Sequence, residues 1–507
     1  LTPEQRTIID TVRDTKTNLV VEALAGTGKS TVLREAMRVI PSRSVLVVAF
    51  NKRIAEEFLA KLPPVPKGNV FVVKTFHALG LSIVRKHFSH LTISSDATSD
   101  LVNQVTKDRG YPFKIKRAAS KLVRQIKETV LDIPDPVKAA KDWLKLAEGV
   151  GLNYEVFQDA DDTGTVCDVA RQAYVASCDL AGRKAIDFCD MVWAPLALDL
   201  AAPARYQAVL VDELQDISPP QFALIRKLMV PKTGRFIGVG DLRQTIYGFR
   251  GALGVDAWKI AKEDLATECL PLTMTWRCSQ AVVEEAQALV PSLQAAPDAP
   301  EGSVELMNLK MMVEAIKDCA IVHGPTHAAH TFVLSRNNAM LLDCALNIYR
   351  LGCKFQLNAG EEMLDPLFIL LDSKLDLSSR ERFQASLAEW LHTETKRAER
   401  AGATAYADRI VEQAEMLKAV LNHAEPQGIK KLLTAILAPG TSGVLLSTVH
   451  KVKGLEADTV YLLKETFARH KPQVGEEPKP PSDEELNIEY VAITRAKLDL
   501  IWVSLAR

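Results

Sequence analysis

The chain has 507 residues, of which 47% are hydrophobic and 25% charged, with a formal net charge of −1. That length predicts three or four domains, or a large core with insertions, in an ordinary soluble globular balance. A near-neutral chain is not a general nucleic-acid coat, so any contact of that kind has to come from local patches. The eight cysteines include no CxxC pair, which argues against a disulfide framework, a zinc site or an iron–sulfur cluster. Cys167, Cys178 and Cys189 recur every eleven residues, which predicts a row of buried thiols on one helical face, with a metal role the weaker alternative. No signal peptide is visible and no apolar run approaches the ~18 residues of a membrane span. The expectation is a reduced, cytoplasmic setting with no membrane partner.

Along the chain, NLVVEAL (18–24) is a short apolar run before a glycine loop, and SVLVVAF (44–50) and NVFVVKTF (69–76) are β-branched runs between turn residues. This alternation with helical segments is the βαβ pattern of a parallel sheet covered by helices. From about 89 to 185 the strand signals stop and the period is helical. Residues 107–127 carry eight Lys/Arg against one Asp, with Tyr111 and Phe113 among them. Such a run is either a solvated helix face or a nucleic-acid backbone contact. Strand signals return at YQAVLVD (206–212) and RFIGVGD (235–241). A second set follows: SVELMNL (303–309), TFVLSR (331–336), GVLLSTVH (443–450), TVYLL (459–463) and LIWVSL (500–505). Between its halves, residues 359–440 read almost entirely as helices. Two parallel-sheet α/β regions, each interrupted by a mostly helical insertion, are therefore expected.

The segment ALAGTGKST (23–31) follows a strand and precedes a helix, the context of a phosphate-binding P-loop. Small residues let backbone N–H groups wrap phosphates; Lys29 would reach the β- and γ-phosphates and Ser30 would hold Mg²⁺. Ala23 replaces the usual first glycine, and a plain glycine turn capping a helix is the alternative. VDELQDIS (211–218) ends another buried strand with two acids. Carboxylates at that edge of a parallel sheet face a ligand crevice. Asp212 would serve Mg²⁺, and Glu213 would orient and deprotonate water. ATP hydrolysis also needs cations on the developing γ-phosphate charge, and the candidates are Arg277 in TWRC (275–278) and Arg495 in YVAITRAK (490–497).

Together these stretches resemble the UvrD/Rep-type superfamily 1A DNA helicases. The matching segments run in family order from TPEQ (2–5), AGTGKST (25–31), AFNKRIAEEF (49–58) and TFHALG (75–80) through IDFCDM (186–191) and VDELQD (211–216). They continue with GDLRQTIYGFRGA (240–252), LTMTWRCS (272–279), VLSRNNA (333–339), STVHKVKGLEADTVYL (447–462) and IEYVAITRAK (488–497). The resemblance implies two RecA-like P-loop domains, 1A (1–88 and 186–273) and 2A (274–358 and 441–507), with helical insertions 1B (89–185) and a short 2B (359–440). It implies ATP and Mg²⁺ between 1A and 2A, single-stranded DNA and its junctions with duplex as partner, and 3′→5′ movement by a monomer. A protein loading partner stays open.

Residue by residue, Gln5 matches a residue that reads adenine, Trp276 one that stacks on the base, and Glu456 one that meets the ribose. Ala25, Gly26, Thr27, Gly28, Lys29, Ser30 and Thr31 form the phosphate loop, and family members often carry arginine at the position of Thr31. Gln244 matches the γ-phosphate sensor; Arg277 and Arg495 match the two arginine fingers. Phe249 and Arg250 match positions that meet a DNA base and link to the nucleotide, while Tyr247 belongs either to the core or near the nucleotide. Further DNA candidates are Phe50, Asn51, Lys52, Thr75, His77, Arg336, Asn337, Thr448 and His450. The expected activity is an ATP-dependent translocase and 3′→5′ DNA helicase. The alternatives are a protein-stripping translocase that unwinds little, or a P-loop nucleotide switch indifferent to DNA. An RNA substrate also satisfies stacking and phosphate contacts.

Overall fold

Most of the apolar runs become buried strands, those of the first sheet feeding a helix-covered core on each face, while Ser303–Asn308 stays largely exposed. A computed structural model describes residues 1–62, 64–65, 67–129, 143, 160–246, 253–322, 330–358, 361–400, 404–437, 443–470 and 480–504. Two units separate: Leu1–Leu24 with Gly28–Leu272, and Ala25–Thr27 with Thr273–Arg507.

In the first unit the chain runs α1 (Pro3–Asp14), β1 (Leu19–Ala23), α2 (Lys29–Val39), β2 (Ser44–Ala49), α3 (Lys52–Ala60), β3 (Val70–Thr75) and α4 (Phe76–His87). It continues through β4 (Thr92–Ile93), α5 (Ala97–Val105), α6 (Phe113–Thr129), α7 (Ala160–Ser177), β5 (Ala185–Ile186) and α8 (Phe188–Ala197). The unit ends with β6 (Ala208–Val211), α9 (Pro219–Leu228), β7 (Arg235–Gly240), α10 (Val255–Leu265) and β8 (Glu268–Leu272). The six-stranded sheet has order β3-β2-β6-β7-β1-β8 and every neighbouring pair is parallel. Alternate residues of one strand feed opposite cores. Val45, Val47 and Leu210 pack with Val32, Leu33 and Ala36 of α2, whereas Leu46, Val48 and Val209 pack with Phe76, Leu79 and Ile83 of α4.

The helices between β3 and β6 share a separate core. Ile115, Ala118, Ala119, Leu122, Val123 and Ile126 form one stripe of α6, at the three- and four-residue spacing of an amphipathic helix. They meet Val166, Val169, Ala170 and Ala173 of α7 and Trp193 of α8. Lys127 is buried in this core, 2.6 Å from Asp190 and 4.7 Å over the Trp193 ring. Arg183 holds the other Asp190 oxygen at 2.6 Å. Burial works against ionising Asp190, but the two cations overcome it and hold its carboxyl below the usual range. At Gly80, α4 passes so close to the Met191 carbonyl of α8 that a Cβ would collide with it.

The expected row of thiols does not form. Helix α7 ends at Ser177, leaving Cys178 just beyond it, and Cys189 stands on the separate helix α8. Among the described residues no cluster of three or more metal-ligating side chains occurs, and no helix is long and apolar enough to cross a membrane.

The second unit contains β9 (Met274–Thr275), α11 (Gln280–Gln287), β10 (Gln294–Ala295), β11 (Ser303–Asn308), α12 (Leu309–Val322), β12 (Thr331–Ser335), α13 (Asn338–Arg350) and β13 (Phe355–Leu357). Helices α14 (Glu361–Ser373), α15 (Arg380–Arg400), α16 (Thr404–Leu421) and α17 (Ile429–Leu437) follow, then β14 (Val444–Thr448), β15 (Ala457–Leu463), α18 (Asp483–Ile493) and β16 (Ala496–Ser504). Its parallel sheet has order β11-β16-β15-β12-β14-β13. One core joins these strands to α13 and α14 through Val333, Leu446, Leu342 and Leu367.

Candidate functional site

Strand order in the first unit decides which side chains meet. Strands β6, β7 and β1 are consecutive neighbours in one parallel sheet, so the segments after their carboxyl ends emerge side by side. These are the segments carrying Asp212 and Glu213, Asp241 and Gln244, and Lys29. Gly28 caps α2 with φ 89°, a left-handed conformation that favours glycine, and a Cβ there would also lie 3.0 Å from Gln5 Nε2. The other end of the Gln5 carboxamide accepts the Thr2 amide at 3.1 Å in a capping box. Gln5 is thereby fixed against the glycine that caps α2.

The side chains beyond those strands form one hydrogen-bonded chain. Gln215 Nε2 donates to Glu213 Oε2 at 2.7 Å, and its Oε1 accepts the Asp241 amide at 2.9 Å. Gln244 Nε2 donates to Asp241 Oδ2 at 2.7 Å. Lys29 Nζ donates to the Ala23 carbonyl at 3.1 Å and stands 3.9 Å from Asp241 Oδ2. Glu213 adopts φ 53° and ψ 51°, the left-handed region, where a side chain other than glycine is uncommon. Burial, and then the Glu213 charge, push the Asp212 carboxyl up to about 7. Burial likewise raises Asp241, against the pull of Lys29 and Gln244. Buried carboxyls short of positive charge suit a divalent cation, and Asp212 with the Ser30 hydroxyl is a hard-oxygen donor set of the right kind.

The second unit gathers cations instead. Arg495 is fully buried and, among the described residues, has no carboxylate on its guanidinium; it donates to the carbonyls of Val491 at 2.9 Å and Leu455 at 3.0 Å. Burial, and then the neighbouring Arg277 charge, push it down to about 9. Arg277 Nε donates to Glu456 Oε2 at 2.7 Å, and Glu456 Oε1 lies 3.6 Å from Lys497. Trp276 is 54% exposed beside them, open to stack on a planar ligand.

The polymer candidates divide by chemistry. Asn51, Thr75 and Asn337 are helix N-caps, accepting the amides of Ile54 at 2.9 Å, Ala78 at 3.3 Å and Met340 at 3.2 Å. That is a structural role, and it also presents helix N-termini that attract phosphate. Lys52 is exposed, 3.6 Å from Glu56. Arg336 is held by Glu485 at 2.9 Å. Thr448 caps a short turn that carries His450. Phe50 and His77 line one cavity of about 160 Å³ together with Phe188. The His77 and Phe188 rings are perpendicular with centroids 5.6 Å apart. Burial lowers the His77 pKa, which favours a neutral ring. Tyr247, Phe249 and Arg250 lie outside the described residues.

Two family models match the chain: the UvrD/REP helicase N-terminal domain over residues 1–257, and the UvrD-like helicase C-terminal domain over residues 381–507. The chain belongs to the UvrD/Rep helicase family. It is 27% identical over 296 residues to DNA helicase II of Escherichia coli, covering 54% of this chain and 38% of that protein. It is 24% identical over 552 aligned positions to F-box DNA helicase protein 1 of Schizosaccharomyces pombe, covering 99% of this chain and 57% of the relative. ATP-dependent DNA helicase Rep of Escherichia coli is 25% identical over 292 residues, 54% of this chain and 41% of that protein. The chain thus spans about two fifths to three fifths of the length of these relatives.

Within this UvrD/Rep chain, sequence reasoning passed over Gln215, Asp241 and Phe188. The first two lie inside VDELQD and GDLRQ, but nothing local says that one amide joins them. Phe188 has a legible signal, an aromatic that begins a helix after the capping residue Asp187, and it is 55% exposed.

Proposed function

We propose that this chain is an ATP-dependent single-stranded DNA translocase and 3′→5′ helicase. The observation that carries this reading is the continuous chain Glu213–Gln215–Asp241–Gln244, with Lys29 beside it, at three adjacent strand ends. It joins a water-activating carboxylate to a phosphate-sensing amide, so loss of the γ-phosphate at one end is felt at the other. Asp212 and Ser30 would hold Mg²⁺, which neutralises charge on the β- and γ-phosphates. Gln5 and Trp276 would hold the base, Glu456 the ribose, and Arg277 and Arg495 the developing γ-phosphate charge. ATP then lies between the RecA-like domains 1A (1–88, 186–273) and 2A (274–358, 441–507). Segments 89–185 and 359–440 are the insertions 1B and 2B.

Single-stranded DNA would stack on Phe50 and Phe188 beside His77, and on Phe249 just beyond Gln244, tolerant of sequence because every base has a π-face. The N-capped helices at Asn51, Thr75 and Asn337 suit phosphates. Lys52, Arg250, Arg336, Thr448 and His450 complete the proposed DNA set.

The test is ATP hydrolysis with and without single-stranded DNA, with Glu213→Gln as control. Strong stimulation that the substitution abolishes supports the motor. Glu213-dependent hydrolysis indifferent to DNA favours a nucleotide switch. Duplexes with 3′ or 5′ tails then separate an unwinding motor from a translocase that only clears proteins.

A further inference from the structure

Helix α18 joins two parts of the second unit that the proposed motor uses separately. It begins at SDEE (482–485), the S-x-x-E pattern of a capping box, in which the acid reaches back to the cap amide. Only half of that box forms. Ser482 Oγ accepts the Glu485 amide at 3.3 Å, but the Glu485 carboxylate turns to Arg336. It accepts from Arg336 Nη2 at 2.9 Å and from Nε at 3.1 Å. Among the described residues, Arg336 Nη1 has no partner. At the other end of α18 two arginines hang on carbonyls: Arg495 Nε donates to Val491 at 2.9 Å, and Arg277 Nη1 to Thr494 at 3.3 Å. Tyr490 Oη accepts the amide of Ala25, a phosphate-loop residue that groups with this unit, at 3.0 Å. The helix is buried from Asn487 to Ile493, and Arg469 Nε donates to its Glu489 at 2.9 Å. A close-packed helix of this kind moves as one body. It advances about 12 Å from Glu485 to Ile493, at ~1.5 Å per residue.

We infer that Glu485 is a positioning residue that ties the Arg336 polymer contact, through α18, to the arginines proposed for the γ-phosphate. Its carboxylate fixes the plane of Arg336 from one side and leaves Nη1 for a phosphate oxygen. One guanidinium can serve both anions, because its five N–H groups lie in a planar fork. A phosphate that draws Arg336 draws Glu485 with it, and the displacement is carried to Val491 and Thr494, which hold Arg495 and Arg277. A carboxylate that only competed for Arg336 would lower affinity for the strand. One joined to the arginines by a packed helix changes turnover as well. The inference rests on the motor reading, because Arg336, Arg277 and Arg495 take their tasks from it.

The experiment measures ATP hydrolysis by the full chain without and with saturating oligothymidylate, and oligothymidylate affinity without and with a non-hydrolysable ATP analogue. Wild type is compared with Glu485→Ala, Arg336→Ala and the double variant. In Glu485→Ala, DNA-free kcat should match wild type and DNA binding should persist. Stimulation by DNA should fall about tenfold, within the usual range of coupling between two sites. Reciprocity predicts that the effect of the analogue on oligothymidylate affinity shrinks too. In the Arg336→Ala background, Glu485→Ala should change nothing further, since it acts through that guanidinium. A helix cap alone would act in both backgrounds. Glu485→Gln, which keeps the shape and gives up the charge, replaces the alanine variant if that one does not fold. Wild-type stimulation in Glu485→Ala overturns the inference, as does an equal loss of DNA-free turnover or a further loss beyond Arg336→Ala. If wild-type hydrolysis ignores DNA, the motor reading fails; if wild type and Glu485→Ala are stimulated alike, only the role of Glu485 fails.

Discussion

The two parallel sheets use their edges differently. In the first unit, the phosphate-side groups and the DNA candidates share the carboxyl edge: Lys29, Asp212 and Asp241 follow β1, β6 and β7, and Asn51 and Thr75 follow β2 and β3. In the second unit the two sets part. Arg336, Asn337 and Thr448 lie at carboxyl ends of β12 and β14, while Glu456 and Arg495 immediately precede β15 and β16. The first sheet thus brings all of its candidates to a single edge. The other separates its candidates onto two edges, and at the amino edge Arg495 stands near Arg277, with Glu456 between Arg277 and Lys497. The lesson is that similar sheets need not carry duplicate sites: the first crowds carboxyls beyond its carboxyl edge, and the second gathers arginines before its amino edge.

The sharpest way to break this comparison is at the arginines. Arg277→Ala and Arg495→Ala should each lower kcat for ATP by about 10³ or more, the range of arginine fingers. A loss under tenfold in steady-state hydrolysis would leave the amino edge of the second sheet without its task. Arg495→Met should retain or raise thermal stability in a melting experiment, because it removes a buried charge that meets no carboxylate among the described residues. Next, Glu213→Gln should cost about 10²–10⁴ in kcat with nucleotide affinity largely kept, read by comparing turnover with equilibrium binding. Phe188→Ala should weaken single-stranded DNA by about 1–3 kcal/mol without altering DNA-free hydrolysis, checked by anisotropy. The smallest effect is expected at Gln215→Ala, roughly tenfold in DNA-stimulated kcat, because it cuts the link between Glu213 and Asp241 and leaves both groups in place. If Gln215→Ala leaves DNA-stimulated kcat unchanged while Glu213→Gln abolishes hydrolysis, the link is structural only.

Most of the strand pattern is legible in the sequence, because strands covered on both faces read as uninterrupted apolar runs. The exceptions are instructive. Strand β8, Glu268–Leu272, contains Pro271, which argues against a central strand but is tolerated where the strand pairs on one side only, as β8 does with β1. Strand β13 has three residues and too little period to detect. The cysteine spacing misled because eleven-residue recurrence assumes one helix, and the chain turns after Ser177. Lys29, Asp212 and Glu213 are legible as residue types in context. The amide of Gln215, joining segments 26 residues apart, is not, since that contact exists only once β6 and β7 are neighbours.

The backbone at Glu213 has a consequence for how this protein responds to selection. A non-glycine residue held in that region raises the energy of the fold by of order 1–3 kcal/mol, and glycine would relieve it. A library screened only for heat resistance should therefore enrich Glu213→Gly, and the survivors should be better folded and unable to hydrolyse ATP. Thermal hardiness and turnover pull this one position in opposite directions, so only a screen that counts both will keep the carboxylate.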